Sequence, residues 1–162
     1  MQLFLFVIFL FGLVFFHELG HVVSAKLLGL SVQKIGFQFQ PFPHFYVAVN
    51  WPKKKIHKFV YLFSGTFLTL TLFAVSTYNH FFELSILYWA FFVQFIMEFN
   101  PFYSDFTIAF VSNNKLNKGV KSYADNYKVQ FQKYQFSAKW YFHFIIWTST
   151  IILLIKFKNQ FV

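Results

Sequence analysis

The chain has no cysteine and no arginine, and only five acidic residues: Glu18, Glu83, Glu98, Asp105 and Asp125. Without thiols, disulfides, thiolate nucleophiles and cysteine zinc ligands are all excluded. Without arginine, the net charge of +9 rests on 14 lysines. Lysine lacks the planar fork that reads phosphates and base edges bidentately, and these lysines lie between apolar stretches. Nucleic acid is therefore not expected as a partner. Charged residues make up 12% of the chain, about half of what soluble domains carry. What is present instead is apolar: 57% of the residues are hydrophobic, and 29 of the 162 are phenylalanine. A chain of this length makes one domain, residues 1–162. A soluble domain so small keeps much of its surface exposed, so lipid is expected to cover the aromatic excess.

A membrane-spanning helix needs about 20 mostly apolar residues. Four stretches qualify: about 3–23, 59–78, 81–110 and 140–157, the last being shorter. Trp140 and Tyr141 suit an interfacial anchor. The third is expected to break near residues 100–105. No positive charge precedes Lys26, and the first stretch carries an acid and histidines, so it is read as a span and not as a cleaved signal peptide. Six lysines lie from Lys26 to Lys58 and six from Lys115 to Lys139. By the positive-inside rule these two links face the cytoplasm; Lys156 and Lys158 run against that assignment. The fold class expected is an all-α membrane protein with a small β-hairpin at the cytoplasmic membrane surface after the first helix. Residues Ile35 to Gln40 alternate with a strand period, Pro41-Phe42-Pro43 interrupts them, and His44 to Val49 can return as a second strand. The link from Ser112 to Lys139 reads equally as a solvated segment or as an amphipathic one on an anionic leaflet.

Within the first span, Phe16-His17-Glu18-Leu19-Gly20-His21 contains the pattern HExxH. On a helix, residues four apart share a face, so two imidazoles reach one ion. Glu18 falls beside them, where a carboxylate can take a proton from an activated water. A charged group at membrane depth costs at least about 2.5–3.5 kcal/mol, so three ionisable residues within five positions mark function. A catalytic zinc site takes three protein ligands; without cysteine the third must be a His, Asp or Glu, and the acids are few. Glu83 falls at the opposite membrane face and Asp125 in a soluble link. Asp105 and Glu98 remain. Asp105 follows the Asn100-Pro101 break, where irregular backbone at membrane depth implies a polar cavity. Glu98 is the alternative third ligand, or else an outer partner for a ligating imidazole.

With these residues, the chain resembles the site-2 protease family of intramembrane zinc metalloproteases. The likeness covers roughly residues 3–110. It rests on the HExxH segment, on Asn100-Pro101-Phe102-Tyr103-Ser104-Asp105 in the third span, and on Gly65-Thr66-Phe67-Leu68-Thr69 between them. The resemblance implies zinc held by His17, His21 and Asp105, with Glu18 as general base. It implies hydrolysis of peptide bonds in membrane-bound or membrane-associated substrates. Asn100 is a candidate donor to the substrate or the developing oxyanion, and the strands near Phe37 to Val49 a candidate surface for an unwound substrate. A minimal member is expected, without an inserted PDZ or regulatory domain and of bacterial origin. His44, His57, His80 and His143 are expected in interfacial or packing roles, and Gly65 in helix packing. The competing expectation is an inactive membrane protein that binds peptide or metal, such as an immunity or partner protein.

Overall fold

A computed structural model describes residues 1–38, 44–50, 52–111 and 123–161. Helix α1 runs over Gln2–Leu27 and is followed by strands β1 (Val32–Gln38) and β2 (His44–Val49). Helix α2 spans Lys55–Tyr78, and a short 3-10 turn at Phe81–Glu83 leads to α3, Ser85–Phe99. Helices α4 (Asp105–Val111), α5 (Tyr123–Tyr134) and α6 (Ala138–Phe161) complete the described chain.

Three of these helices are long and apolar enough to cross a membrane: Gln2–Leu27, Lys55–Tyr78 and the Ala138–Lys156 part of α6. The expected third span is the one that falls short. At about 1.5 Å per residue, the 15 residues of α3 rise about 22 Å, less than the hydrocarbon thickness of about 30 Å. The reason lies at Asn100, which precedes Pro101 and adopts extended backbone at φ −65°, ψ 143°. A proline disfavours helical geometry in the residue before it and offers no amide hydrogen of its own. The helix stops there and restarts at Asp105.

The two strands pair antiparallel in a two-stranded sheet, with Ile35 opposite Val47 and Phe37 opposite Phe45. The first strand lies earlier than the expected 35–40, and the register is irregular between Val32 and Lys34. Phe39, Gln40 and the Pro41-Phe42-Pro43 interruption lie outside the described residues. So does the Ser112 to Ser122 part of the second lysine-rich link, whose later part is α5. The Tyr61 hydroxyl donates to the Val47 carbonyl and ties the sheet to α2.

Packing is organised around α1, which lies against α2 and α3. One apolar cluster joins Leu13 of α1 to Phe82, Tyr88, Phe91 and Phe95; a second joins Ala25, Tyr61, Leu62 and Ala109. Helix α6 reaches α3 through three hydrogen bonds to main-chain carbonyls. Tyr88 donates to Leu154 O (2.5 Å), the Trp147 indole to Ile96 O (3.0 Å) and His143 Nε2 to Phe99 O (3.0 Å). The outer faces are strongly apolar, with Phe4, Phe11 and Phe15 of α1 and Phe142, Ile145 and Ile152 of α6 all exposed.

Candidate metal centre

His17 and His21 stand one turn apart on the buried side of α1, 8% and 4% exposed. Two glycines let α2 come close enough to floor them. A Cβ on Gly20 would stand 2.6 Å from the Ser64 carbonyl oxygen. A Cβ on Gly65 would stand 2.6 Å from His17 Nε2 and 2.7 Å from His21 Nε2. Any side chain at either position would therefore push the helices apart or fill the space between the imidazoles.

Asp105 arrives from the other side, as the first residue of α4. The turn before it is built by Asn100, whose Oδ1 accepts from the amides of Phe102 (3.0 Å) and Tyr103 (2.5 Å). Its Nδ2 donates to Met97 O and Tyr103 O. Ser104 then caps α4, its hydroxyl accepting from the Thr107 amide at 3.2 Å, the usual N-cap bond to the third helical residue. Both amide protons and the carbonyl of Asn100, expected to serve the substrate, are thus engaged in the turn that presents Asp105.

The three side chains meet tightly. Asp105 Oδ2 lies 3.0 Å from both His17 Nε2 and His21 Nε2, which are 3.1 Å from each other. The opposite ring nitrogens decide what these atoms carry. His21 Nδ1 is 2.8 Å from the Tyr61 carbonyl, which can only accept, so Nδ1 bears the proton. His17 Nδ1 lies 2.8 Å from Glu98 Oε1 and donates to that carboxylate. In a neutral imidazole, protonation of Nδ1 leaves a lone pair on Nε2. Two such lone pairs and a carboxylate oxygen then point at one another in a buried place, an arrangement that repels unless a metal ion or a proton on one ring fills it. Donors bonded at about 2.0–2.1 Å to a tetrahedral ion are about 3.3–3.4 Å apart, close to the 3.0–3.1 Å edges found here. Nδ1 donation to a carbonyl and to a carboxylate is also what metal-ligating histidines need for a fixed ring and tautomer. His17, His21 and Asp105 can therefore hold a metal ion.

Glu98, weighed as an alternative third donor, lies across the His17 ring from the cluster and is its outer partner. Glu18 is half-buried beside His17 and three residues from His21, with no hydrogen-bond partner among the described residues. Glu83, His57 and His80 stand outside the cluster; His143 is buried between α3 and α5, bonded to Phe99 O and the Tyr134 hydroxyl. Sequence reading missed Tyr61, because its contribution is a main-chain carbonyl that leaves no trace in residue type. Comparison of the chain with protein-family models, with curated proteins and with solved structures finds no match.

Proposed function

We propose that the protein is an integral-membrane zinc metalloprotease of the site-2 protease kind. The observation that carries this reading is the convergence of two imidazole lone pairs and one carboxylate oxygen, with the Glu18 carboxylate beside them on the same helix. The three apolar helices and the exposed phenylalanine and isoleucine faces of α1 and α6 support insertion in a bilayer. The two lysine-bearing links then face the cytoplasm, with the metal centre toward that side.

His17, His21 and Asp105 hold the ion, and the donor set of two nitrogens and one oxygen suits zinc. When bound, zinc acidifies a water and polarises a carbonyl. Glu18 is the proton carrier: it takes a proton from the attacking water and returns it to the leaving nitrogen of the cleaved peptide. With no hydrogen-bond partner among the described residues, its oxygens are free for both transfers. Glu98 and the Tyr61 carbonyl hold the two rings in the tautomer that keeps Nε2 available.

The test is metal content and peptide hydrolysis by the detergent-purified chain. Wild type is expected to carry about one zinc, as the one donor triad among the described residues provides. His17→Ala and Asp105→Ala lose it, and Glu18→Gln keeps the metal while losing hydrolysis of membrane-anchored peptides. A folded wild type that binds no zinc overturns the reading. Zinc retention without any Glu18-dependent hydrolysis points instead to an inactive metal- or peptide-binding membrane protein.

A further inference from the structure

We propose that Thr69 and Gln94 are positioning residues for the metal centre, acting through Glu98 on His17. The inference rests on the metal reading above and extends it outward to two side chains that touch no ligand atom.

The Glu98 carboxylate is loaded on one oxygen only. Oε1 receives His17 Nδ1 at 2.8 Å, the Thr69 hydroxyl at 2.6 Å and the Gln94 amide at 2.8 Å. Among the described residues, the buried Oε2 has no partner, and neither does the Gln94 carbonyl oxygen. All four side chains are deeply buried: Thr69 is 0% exposed, Gln94 3%, Glu98 5% and His17 8%. A carboxylate free to turn spreads its donors over both oxygens, since a buried oxygen without a partner costs about 1–3 kcal/mol or more. Here donors from three helices (His17 of α1, Thr69 of α2, Gln94 of α3) converge on one atom and fix it in space. Thr69 has one proton and a second acceptor, Gly65 O, at 3.2 Å. The shorter, charge-assisted bond to Glu98 takes the proton.

The consequence falls on the His17 ring. Its Nδ1 proton follows Oε1, so the direction of Nε2 is set by where Thr69 and Gln94 hold that oxygen. Metal sites tolerate ligand displacements of only about 0.2 Å. If the carboxylate turns to relieve Oε2, the ring turns with it and Nε2 leaves its place beside His21 and Asp105. Thr69 also ends the Gly65-to-Thr69 segment, so one face of α2 serves the site twice. Gly65 yields space to both imidazoles, and Thr69, one turn on, sets the acceptor behind one of them.

The experiment uses the full chain in detergent and measures zinc affinity by chelator competition, with the visible spectrum of the Co2+ form as a second readout of ligand geometry. Thr69→Val and Gln94→Met remove each donor at nearly constant volume, and Thr69→Ser restores the hydroxyl. Thr71→Val is the control, because Thr71 donates only to Phe67 O on the exposed side of the same helix. We expect zinc to bind about tenfold more weakly in Thr69→Val and in Gln94→Met, at the low end for outer-partner changes. A shifted Co2+ spectrum should accompany it, with Thr69→Ser and Thr71→Val close to wild type. Affinities and spectra equal to Thr71→Val in both variants overturn the inference and leave the metal reading standing. A folded wild type that takes up neither ion overturns both.

Discussion

Gly65→Ala is the smallest change that tests the geometry of the metal centre. The added methyl would stand 2.6 Å from His17 Nε2, 2.7 Å from His17 Cε1 and 2.7 Å from His21 Nε2, where ordinary contact begins at 3.4 Å. The shortfall is 3.4 − 2.6, or 0.8 Å, at the first of these. Gly20 and Ser64 lie in the same close crossing, so the strain is relieved either by α1 and α2 separating or by the rings turning. Either movement carries the ligand nitrogens by about four times the 0.2 Å within which metal–ligand distances hold. Overpacking of this kind costs about 1–3 kcal/mol of stability. The expected result is a protein that keeps its far-ultraviolet circular dichroism and loses measurable zinc. Gly12→Ala is the matched control: its Cβ meets nothing within 4 Å, and alanine is favoured over glycine in a helix by up to about 1 kcal/mol. If Gly65→Ala binds zinc as tightly as Gly12→Ala, the imidazoles do not face α2 in this way and the reasoning fails.

Other outcomes follow from the same contacts. Glu98→Gln removes the charged acceptor of His17 Nδ1 and should weaken zinc binding about 10- to 100-fold, read by chelator competition. Asn100→Ala removes four bonds of the turn before α4 and should lower both zinc affinity and hydrolysis, with larger effects than Thr71→Val. Tyr134→Phe deletes the 2.7 Å bond to His143; burial pushes this phenol up to about 12, so it donates at neutral pH. Leaving Nδ1 of the buried His143 without its donor should cost about 1–3 kcal/mol in detergent unfolding, with zinc affinity little changed. A strong chelator should abolish hydrolysis and added zinc restore it; hydrolysis that survives full metal removal would refute the metalloprotease reading.

Residue type and spacing made much of this centre legible before any coordinates. His17 and His21 announce themselves by helical spacing, and Asp105 by scarcity of acids and by the proline that ends α3. The sheet was legible from the strand period that starts at Ile35 and from the proline interruption before His44. The end of α3 was legible from Asn100-Pro101, but its start was not, because the Phe81–Glu83 stretch forms a 3-10 turn ahead of Ser85. The turn that Asn100 builds was not legible either. An asparagine beside a proline reads as available to a ligand, whereas its four short-range contacts exist only once the turn has formed. The roles of Gly65, Thr69 and Tyr61 depend on how close α2 lies to α1, a distance that no single-segment pattern encodes.

The helix that brings Asp105 has seven residues, and so few turns are marginal in isolation. It borrows its order from Ser104 and Asn100 at one end and from the Lys58 ammonium, bonded to Ala109 O near the other. A ligand attached to so small a unit shares its ordering with whatever it ligates. Metal uptake and the settling of α4 therefore form one linked equilibrium. To the extent that this segment is unordered without the ion, ordering it in advance tightens the ion by up to the same free energy, and loosening it lets the ion go more readily. Amide hydrogens from Asp105 to Val111 should accordingly exchange faster after chelation, while those in the middle of α1 change little.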